Sequence, residues 1–139
     1  MHLIVDGYHC SQQALSDSEG LTELLTVFPE TISMNAISDP QVQEYHGSNP
    51  EDWGLSGFVR IAESHISFHT FPVKKFVNVD IFSCKNFDVD MSIDLIRSQF
   101  KIGIIEHKVL SRGLEYLTLR EAYSGVAKER MDLVDRSHD

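Results

Sequence analysis

The chain has 139 residues, 42% of them hydrophobic and 24% charged, and a formal net charge of −9 at pH 7. These values predict one soluble globular domain over residues 1–139. A chain with this negative charge is not expected to have the basic surface that binding to nucleic acids requires. No apolar run reaches the roughly 18 residues of a membrane span, no signal peptide is indicated, and Cys10 and Cys84 form no CxxC motif. We expect a cytoplasmic protein with reduced thiols and a cationic or zwitterionic small-molecule ligand.

The first 54 residues predict a strand, a helix and a weaker second strand. The apolar run 2–8 is typical of a strand, and residues 16–19 offer capping side chains before a helix that Pro29 is expected to end. Apolar residues recur in that helix at intervals of three and four: Leu21, Leu24, Leu25 and Phe28. Weak alternation over 31–45 predicts a strand, and residues 46–54 have the composition of a loop.

The rest of the chain predicts more strands and two helices. Pro72 to Lys75 separate strands, and Asp88 or Asp90 caps a helix that precedes a strand over 104–110. Residues 115–139 have helical spacing and predict a C-terminal helical extension, packed on the body or on a partner chain. Three strands follow one another in the centre: 58–62, 65–71 and 76–84.

Consecutive strands without intervening helices favour antiparallel pairing. We therefore predict an α+β fold, a two-layer sandwich in which an antiparallel sheet of about four to six strands has helices packed on one face. Such a layer leaves the other sheet face uncovered.

Most candidate nucleophiles and proton carriers lie between Leu55 and Cys84. His65 and His69 would stand about 13 Å apart on a strand, too far to bind one ion, so no metal site is expected. Cys84 and His69 have the residue types of a nucleophile pair, although a lone cysteine at a strand end is usually a small buried hydrophobe. Taken singly, these residues indicate no function.

Their arrangement is more specific than any single residue. Four segments occur in order, namely Gly54-Leu55-Ser56-Gly57, Glu63-Ser64-His65, His69-Thr70-Phe71-Pro72 and Asp80-Ile81-Phe82-Ser83-Cys84. They resemble the signature of the short prokaryotic S-adenosylmethionine decarboxylase proenzymes, which runs SG, ESH eight residues later, HTWPE and D-x-F/Y-x-C-G. The resemblance includes the opening HLIVDGY and extends to Gly113, so it spans most of residues 1–113.

The resemblance implies a self-processing, pyruvoyl-dependent decarboxylase of polyamine synthesis. In that family the serine hydroxyl attacks the preceding carbonyl, the amide becomes an ester, and β-elimination splits the chain. Here the products would be a β chain, 1–63, ending in Glu63, and an α chain, 64–139, beginning with a pyruvoyl group made from Ser64. That covalent cofactor forms a Schiff base with the substrate amine and accepts electrons as carbon dioxide leaves.

The resemblance also assigns roles to three further residues. Ser56 and His69 match the processing residues, which respectively support the cyclic intermediate and remove the α-proton of the ester. Cys84 matches the proton donor of decarboxylation. Two (αβ) units would form a homodimer through their sheets or edges, with residues of both lining each active site.

The departures from the signature concern the substrate. Val73 stands where the family has the glutamate that binds the ribose hydroxyls, and Tyr45 or Trp53 stands in for an aromatic that stacks on adenine. Glu51 and Asp52 could meet a cationic side chain, which suits pyruvoyl-dependent ornithine or arginine decarboxylases of similar architecture. We rank S-adenosylmethionine first, a basic amino acid second, and a non-catalytic regulatory homologue third.

Overall fold

One sheet of six antiparallel strands organises residues 1–112, the part of the chain that the computed structural model describes. The strand order is β2-β3-β4-β5-β1-β6. The strands are β1 (His2–Tyr8), β2 (Gln41–His46), β3 (Trp53–Ile61), β4 (Ser64–Phe71), β5 (Phe76–Ser83) and β6 (Ile104–Leu110). The helices are α1 (Gln12–Leu15), α2 (Ser18–Thr31) and α3 (Val89–Phe100). The predicted α+β fold is confirmed.

The helices cover one face of the sheet. The Thr70 hydroxyl of β4 donates to the carbonyl of Leu15 in α1 at 2.8 Å, and the ring of Phe68 meets Phe100 of α3 edge to face at 5.9 Å between centroids. The core between the layers is built from alternate strand residues that are fully or almost fully buried: Leu3, Val5, Leu55, Val59, Ile61, Ile66, Phe68, Val77, Val79 and Ile81. Removal of these side chains from water supplies the main driving force for the fold.

Side-chain caps fix where the helices begin. Asp17 accepts a hydrogen bond from the N–H of Gly20 at 3.0 Å, and Asp88 accepts one from the N–H of Met91 at 2.9 Å. Each satisfies an N–H that a helix end leaves unpaired. Asp88, rather than Asp90, is therefore the cap of α3. The single-turn helix α1 was not predicted, because four residues are too few for a periodic pattern.

Two expectations for the N-terminal half are wrong. Pro29 does not end α2, which continues to Thr31. A proline removes one helical hydrogen bond and crowds the carbonyl four residues earlier, and in the last turn this disturbs little of the helix. Residues 31–45 do not form one strand, since β2 begins at Gln41 and Ala36 makes only an isolated bridge to Ile61. Pro40, which has no N–H for a sheet ladder, directly precedes β2.

The other face of the sheet carries no helix within residues 1–112 and displays aromatic side chains. Three of its large apolar residues are 36–42% exposed: Tyr8, Phe58 and Leu110. The predicted C-terminal helix, 115–139, lies outside the described residues. Among residues 1–112, no helix has the length and apolar character needed to span a bilayer.

Candidate active site

A serine and a histidine face each other across β3 and β4. Ser56 and His69 are directly opposed in the antiparallel register, and a hydrogen bond of 2.8 Å joins Ser56 Oγ to His69 Nδ1. β3 begins at Trp53, five residues earlier than predicted, so Ser56 lies inside a strand and not in a turn. Both side chains lie on the uncovered face. The Ser56–His69 pair therefore has a hydroxyl and an imidazole nitrogen in direct contact.

Two glycines hold this part of β3 close to its neighbours. A Cβ atom at Gly57 would stand 2.6 Å from the Phe68 ring and 3.0 Å from the Leu25 side chain. A Cβ at Gly54 would collide with the carbonyl oxygen of Thr70. A side chain at Gly54 would therefore push β3 away from the backbone of β4, and one at Gly57 would displace the Phe68 ring.

A second group of residues forms at the other end of β4, and we call Glu63, Ser64 and Cys84 the cleavage end. Ser64 opens β4 after the two-residue turn that follows Ile61, and its φ of 154° is one that residues with a Cβ rarely adopt. The backbone N–H of Cys84 donates to the carbonyl oxygen of Glu63 at 2.9 Å. The Glu63–Ser64 peptide is thus strained on one side and polarised on the other.

The side chain of Glu63 is buried and held by two residues that sequence reasoning missed. The backbone N–H and the side-chain amide of Asn35 donate to its carboxylate at 3.2 and 3.1 Å, and Lys85 Nζ lies 3.1 Å from Oε1. Burial alone would raise the pKa of Glu63, but these donors outweigh it and lower the pKa to about 2. One signal was available for Lys85, since it stands where the D-x-F/Y-x-C-G signature has glycine.

The two cysteines differ in their surroundings. Cys10 is buried in the core, and this burial raises its pKa to about 11. Cys84 follows β5 and is exposed, so the interpretation of a buried hydrophobe at this position is wrong. Of the two thiols, only that of Cys84 is open to a ligand.

The structure does not bring the five predicted residues together within one chain. Ser64 and His69 are five residues apart along β4, which at the rise of a strand is about 17 Å. Cys84 follows Ser83, which pairs with Ser64, whereas His69 pairs with Asn78. A Cys84–His69 nucleophile pair is therefore not formed within the chain.

A cavity of about 170 Å³ lies beside the Ser56–His69 pair. Its remaining lining residues are Tyr45, Asp52, Trp53, Gly54, Leu55, Thr70 and Phe71. Both predicted aromatics and one of the two predicted carboxylates thus line it, whereas Glu51 and Val73 do not. A planar or cationic group fits walls of this kind, since aromatic faces attract cations and a carboxylate pairs with them.

His65 belongs to neither group. It lies on β4 and packs between two aromatic rings, at 5.4 Å from Phe58 and 5.7 Å from Phe82 between centroids. Among residues 1–112, no three His, Cys, Asp or Glu side chains are grouped so that they could bind a metal ion.

Comparisons with known proteins agree with the arrangement of these segments. Residues 1–113 match the family model described as S-adenosylmethionine decarboxylase. The chain belongs to the S-adenosylmethionine decarboxylase family. The S-adenosylmethionine decarboxylase proenzyme of Clostridium botulinum (strain Loch Maree / Type A3) is 30% identical over 113 residues, which cover 81% of this chain and 92% of that protein. The proenzyme of Pyrococcus horikoshii is 30% identical over 115 residues, covering 82% and 78%.

A solved member of the S-adenosylmethionine decarboxylase family shares the fold. The crystal structure of adenosylmethionine decarboxylase from Aquifex aeolicus VF5 superposes with a TM-score of 0.69 at 26% identity, over 84% of this chain and 92% of that one. The resemblance predicted from the four sequence segments is confirmed, as is the prediction of a pyruvoyl-dependent decarboxylase family of lyases.

Proposed function

We propose that the chain is a self-processing S-adenosylmethionine decarboxylase whose single domain, 1–139, splits between Glu63 and Ser64 into a β chain, 1–63, and an α chain, 64–139. The observation that carries this proposal is the hydrogen bond from the N–H of Cys84 to the carbonyl of Glu63. That carbonyl is the group that the Ser64 hydroxyl must attack. A donor placed on its oxygen stabilises the negative charge that develops there.

The strained backbone at Ser64 supports the same step. A φ of 154° raises the free energy of the intact peptide, and the rearrangement of amide to ester relieves this strain. Ser56 and His69 then act on the intermediates: the Ser56 hydroxyl hydrogen-bonds the cyclic intermediate, and His69 removes the α-proton of the ester. The 2.8 Å bond between them fixes the orientation of the imidazole ring.

These roles require two copies of the chain. A base must come within about 3 Å of the proton that it removes, whereas His69 lies about 17 Å along β4 from Ser64 of its own chain. We infer that His69 of one copy serves Ser64 of the other. Each site of the homodimer then combines the cleavage end of one copy with the Ser56–His69 pair of its partner.

The uncovered face provides a suitable contact surface. If two copies pack face to face about a two-fold axis that runs across the strands, their strands are antiparallel, and the Ser64 end of one lies over the His69 end of the other. Packed sheets stand about 10 Å apart, a gap that facing side chains fill. This packing would also bury the exposed rings of Tyr8 and Phe58.

The residues at the cleavage end fit a cofactor derived from Ser64. When formed, the pyruvoyl group would supply a ketone that condenses with the substrate amine and withdraws electrons as carbon dioxide leaves. The chain's own contribution is then to return a proton to the substrate carbon. Cys84 is the residue for this step, because its thiol is exposed and its backbone already contacts Glu63.

S-adenosylmethionine is the first choice of substrate, since both relatives and the solved structure carry that name. The reaction would feed polyamine synthesis, and the two free thiols suit a cytoplasmic enzyme. The aromatic walls of the cavity suit adenine, which stacks on such rings.

Asp52 favours a second candidate, the decarboxylation of ornithine or arginine. Its carboxylate lines the cavity beside Ser56 and His69, where it could pair with an ammonium or guanidinium group. Val73 offers no acceptor to ribose hydroxyls. A basic amino acid would use the Asp52 carboxylate, and because it has no ribose it would not need an acceptor at position 73.

Two measurements test the proposal. Mass spectrometry of the purified protein should give two fragments that meet at Glu63/Ser64, the second with a carbonyl at its N-terminus; one intact chain would instead indicate a non-catalytic homologue. Carbon dioxide release should then be measured from S-adenosylmethionine, ornithine and arginine. Activity on a basic amino acid alone, weakened by Asp52→Asn, would establish the second candidate.

A further inference from the structure

The Asn35–Glu63–Lys85 contacts are not explained by stability of the fold alone. The donors outweigh the free-energy cost of burying the Glu63 charge, but an uncharged side chain of similar size would avoid that cost altogether. Here the side chain of Glu63 is 8% exposed and that of Lys85 is 50% exposed. Glu63 is also the residue whose carbonyl is attacked during the proposed self-cleavage.

Lys85 contacts the side chain of the residue whose α-carboxylate leaves during β-elimination. In that step a base takes the α-proton of Ser64, the Cβ–O bond of the ester breaks, and its electron pair passes to the ester oxygen. The products are a dehydroalanine at position 64 and a free α-carboxylate on Glu63. The dehydroalanine tautomerises to an imine, and water hydrolyses this imine to the pyruvoyl ketone with release of ammonia.

The new α-carboxylate of Glu63 forms one side-chain length away from the carboxylate of the Glu63 side chain. The Glu63 side chain stays ionised at neutral pH, since its pKa is about 2. Two negative charges on one residue repel each other, and this repulsion opposes the bond breaking. The ammonium of Lys85, 3.1 Å from Glu63 Oε1, is the charge that offsets it.

We propose that Lys85 is a positioning and electrostatic residue for self-cleavage, which stabilises the departing Glu63 carboxylate in the β-elimination step. The inference rests on the proposed self-processing. Asn35 contributes in a different way, because its two N–H groups orient the Glu63 side chain toward Lys85 and do not supply a charge.

The test compares the cleavage kinetics of three variants with those of the wild-type chain. Lys85→Met removes the charge and keeps the length of the side chain, Lys85→Arg restores the charge, and Lys74→Met removes an exposed lysine in the β4–β5 turn. We expect Lys85→Met to slow cleavage about tenfold, less than the loss of a fully buried donor, because solvent screens Lys85. Lys85→Arg and Lys74→Met should cleave close to the wild-type rate.

The ester intermediate provides a readout that a purely structural role would not change. Hydroxylamine cuts the ester and leaves a hydroxamate on Glu63, which mass spectrometry detects. Lys85→Met should accumulate this ester, because its formation is unaffected and its elimination is slow. Equal cleavage rates in Lys85→Met and wild type, or slow cleavage without ester, would overturn the inference. A wild-type chain that never cleaves would instead overturn the proposed function.

Discussion

The cleavage end and the Ser56–His69 pair are built in opposite ways. Glu63, Ser64 and Cys84 are brought together by a strained turn and by the segment after β5, with a buried charge beside them. The pair consists of a hydroxyl and an imidazole facing each other across a regular antiparallel ladder. One end carries strain and charge, whereas the other holds an imidazole in a fixed orientation. The proposed reaction needs both groups, which is why their separation matters.

The largest effect is expected at Ser64, because it supplies the nucleophile of the cleavage end. Ser64→Ala should abolish cleavage and all turnover while the chain still folds. Gel electrophoresis and mass spectrometry would show one chain, and Ser67→Ala, on the same strand, serves as the control. A Ser64→Ala chain that still splits after Glu63 would contradict the assignment.

A second prediction separates cleavage from turnover. Cys84→Ala keeps the backbone N–H on the Glu63 carbonyl and removes only the thiol, so the chain should be processed at a normal rate. Decarboxylation should fall by about 10²- to 10⁴-fold, the usual contribution of a general acid. If turnover stays at the wild-type level, Cys84 is not the proton donor.

A third prediction concerns Val73, which follows the cavity residue Phe71 by two positions. Val73 is 41% exposed, so Val73→Glu should leave fold and processing intact. A carboxylate there should lower the Michaelis constant for S-adenosylmethionine about tenfold, as expected for one charged hydrogen bond to ribose. Lys74→Glu provides the matched control for added negative charge. No gain with Val73→Glu would favour a basic amino acid as substrate.

The smallest expected effect concerns the buried charge of Glu63 and its contribution to stability at low pH. The pKa of Glu63 in the folded chain is about 2, below its ordinary value of 4.5. The unfolded chain therefore binds the proton first, and Glu63 stabilises the fold above pH 4.5 and loses this effect as the pH falls toward 2. Glu63→Gln should be less stable than wild type at pH 7 and should show a weaker decline in melting temperature between these values. A parallel decline in both proteins would contradict the lowered pKa.

Much of the fold could be predicted from local pattern. Alternation and capping side chains indicated β1, the three central strands, α3 and β6, because these elements are regular and their signals are local. The predictions at Pro29 and over 31–45 were wrong because the local pattern does not determine the structure of these segments. The last turn of α2 tolerates a proline, and Ala36 bridges Ile61 without forming a strand.

The sequence proposed residues for the site but could not give their geometry. The family resemblance singled out Ser56, Ser64 and His69 as candidates, yet it could not show that β4 keeps Ser64 and His69 about 17 Å apart. Asn35 was missed because its contact with Glu63 joins residues 28 apart in sequence. Interactions of that range depend on the fold and leave no local pattern.

In the proposed homodimer each active site combines residues of two copies, and a mixture of two inactive variants can show whether it does. Ser64→Ala lacks the nucleophile of the cleavage end and His69→Ala lacks the base, so neither should process alone. When the two chains are refolded together, a mixed dimer contains one intact site, formed by Ser64 of the His69→Ala chain and His69 of the Ser64→Ala chain. We predict cleavage of the His69→Ala chain only, with recovery of decarboxylation. Mixed dimers that form and stay uncleaved would contradict the shared site.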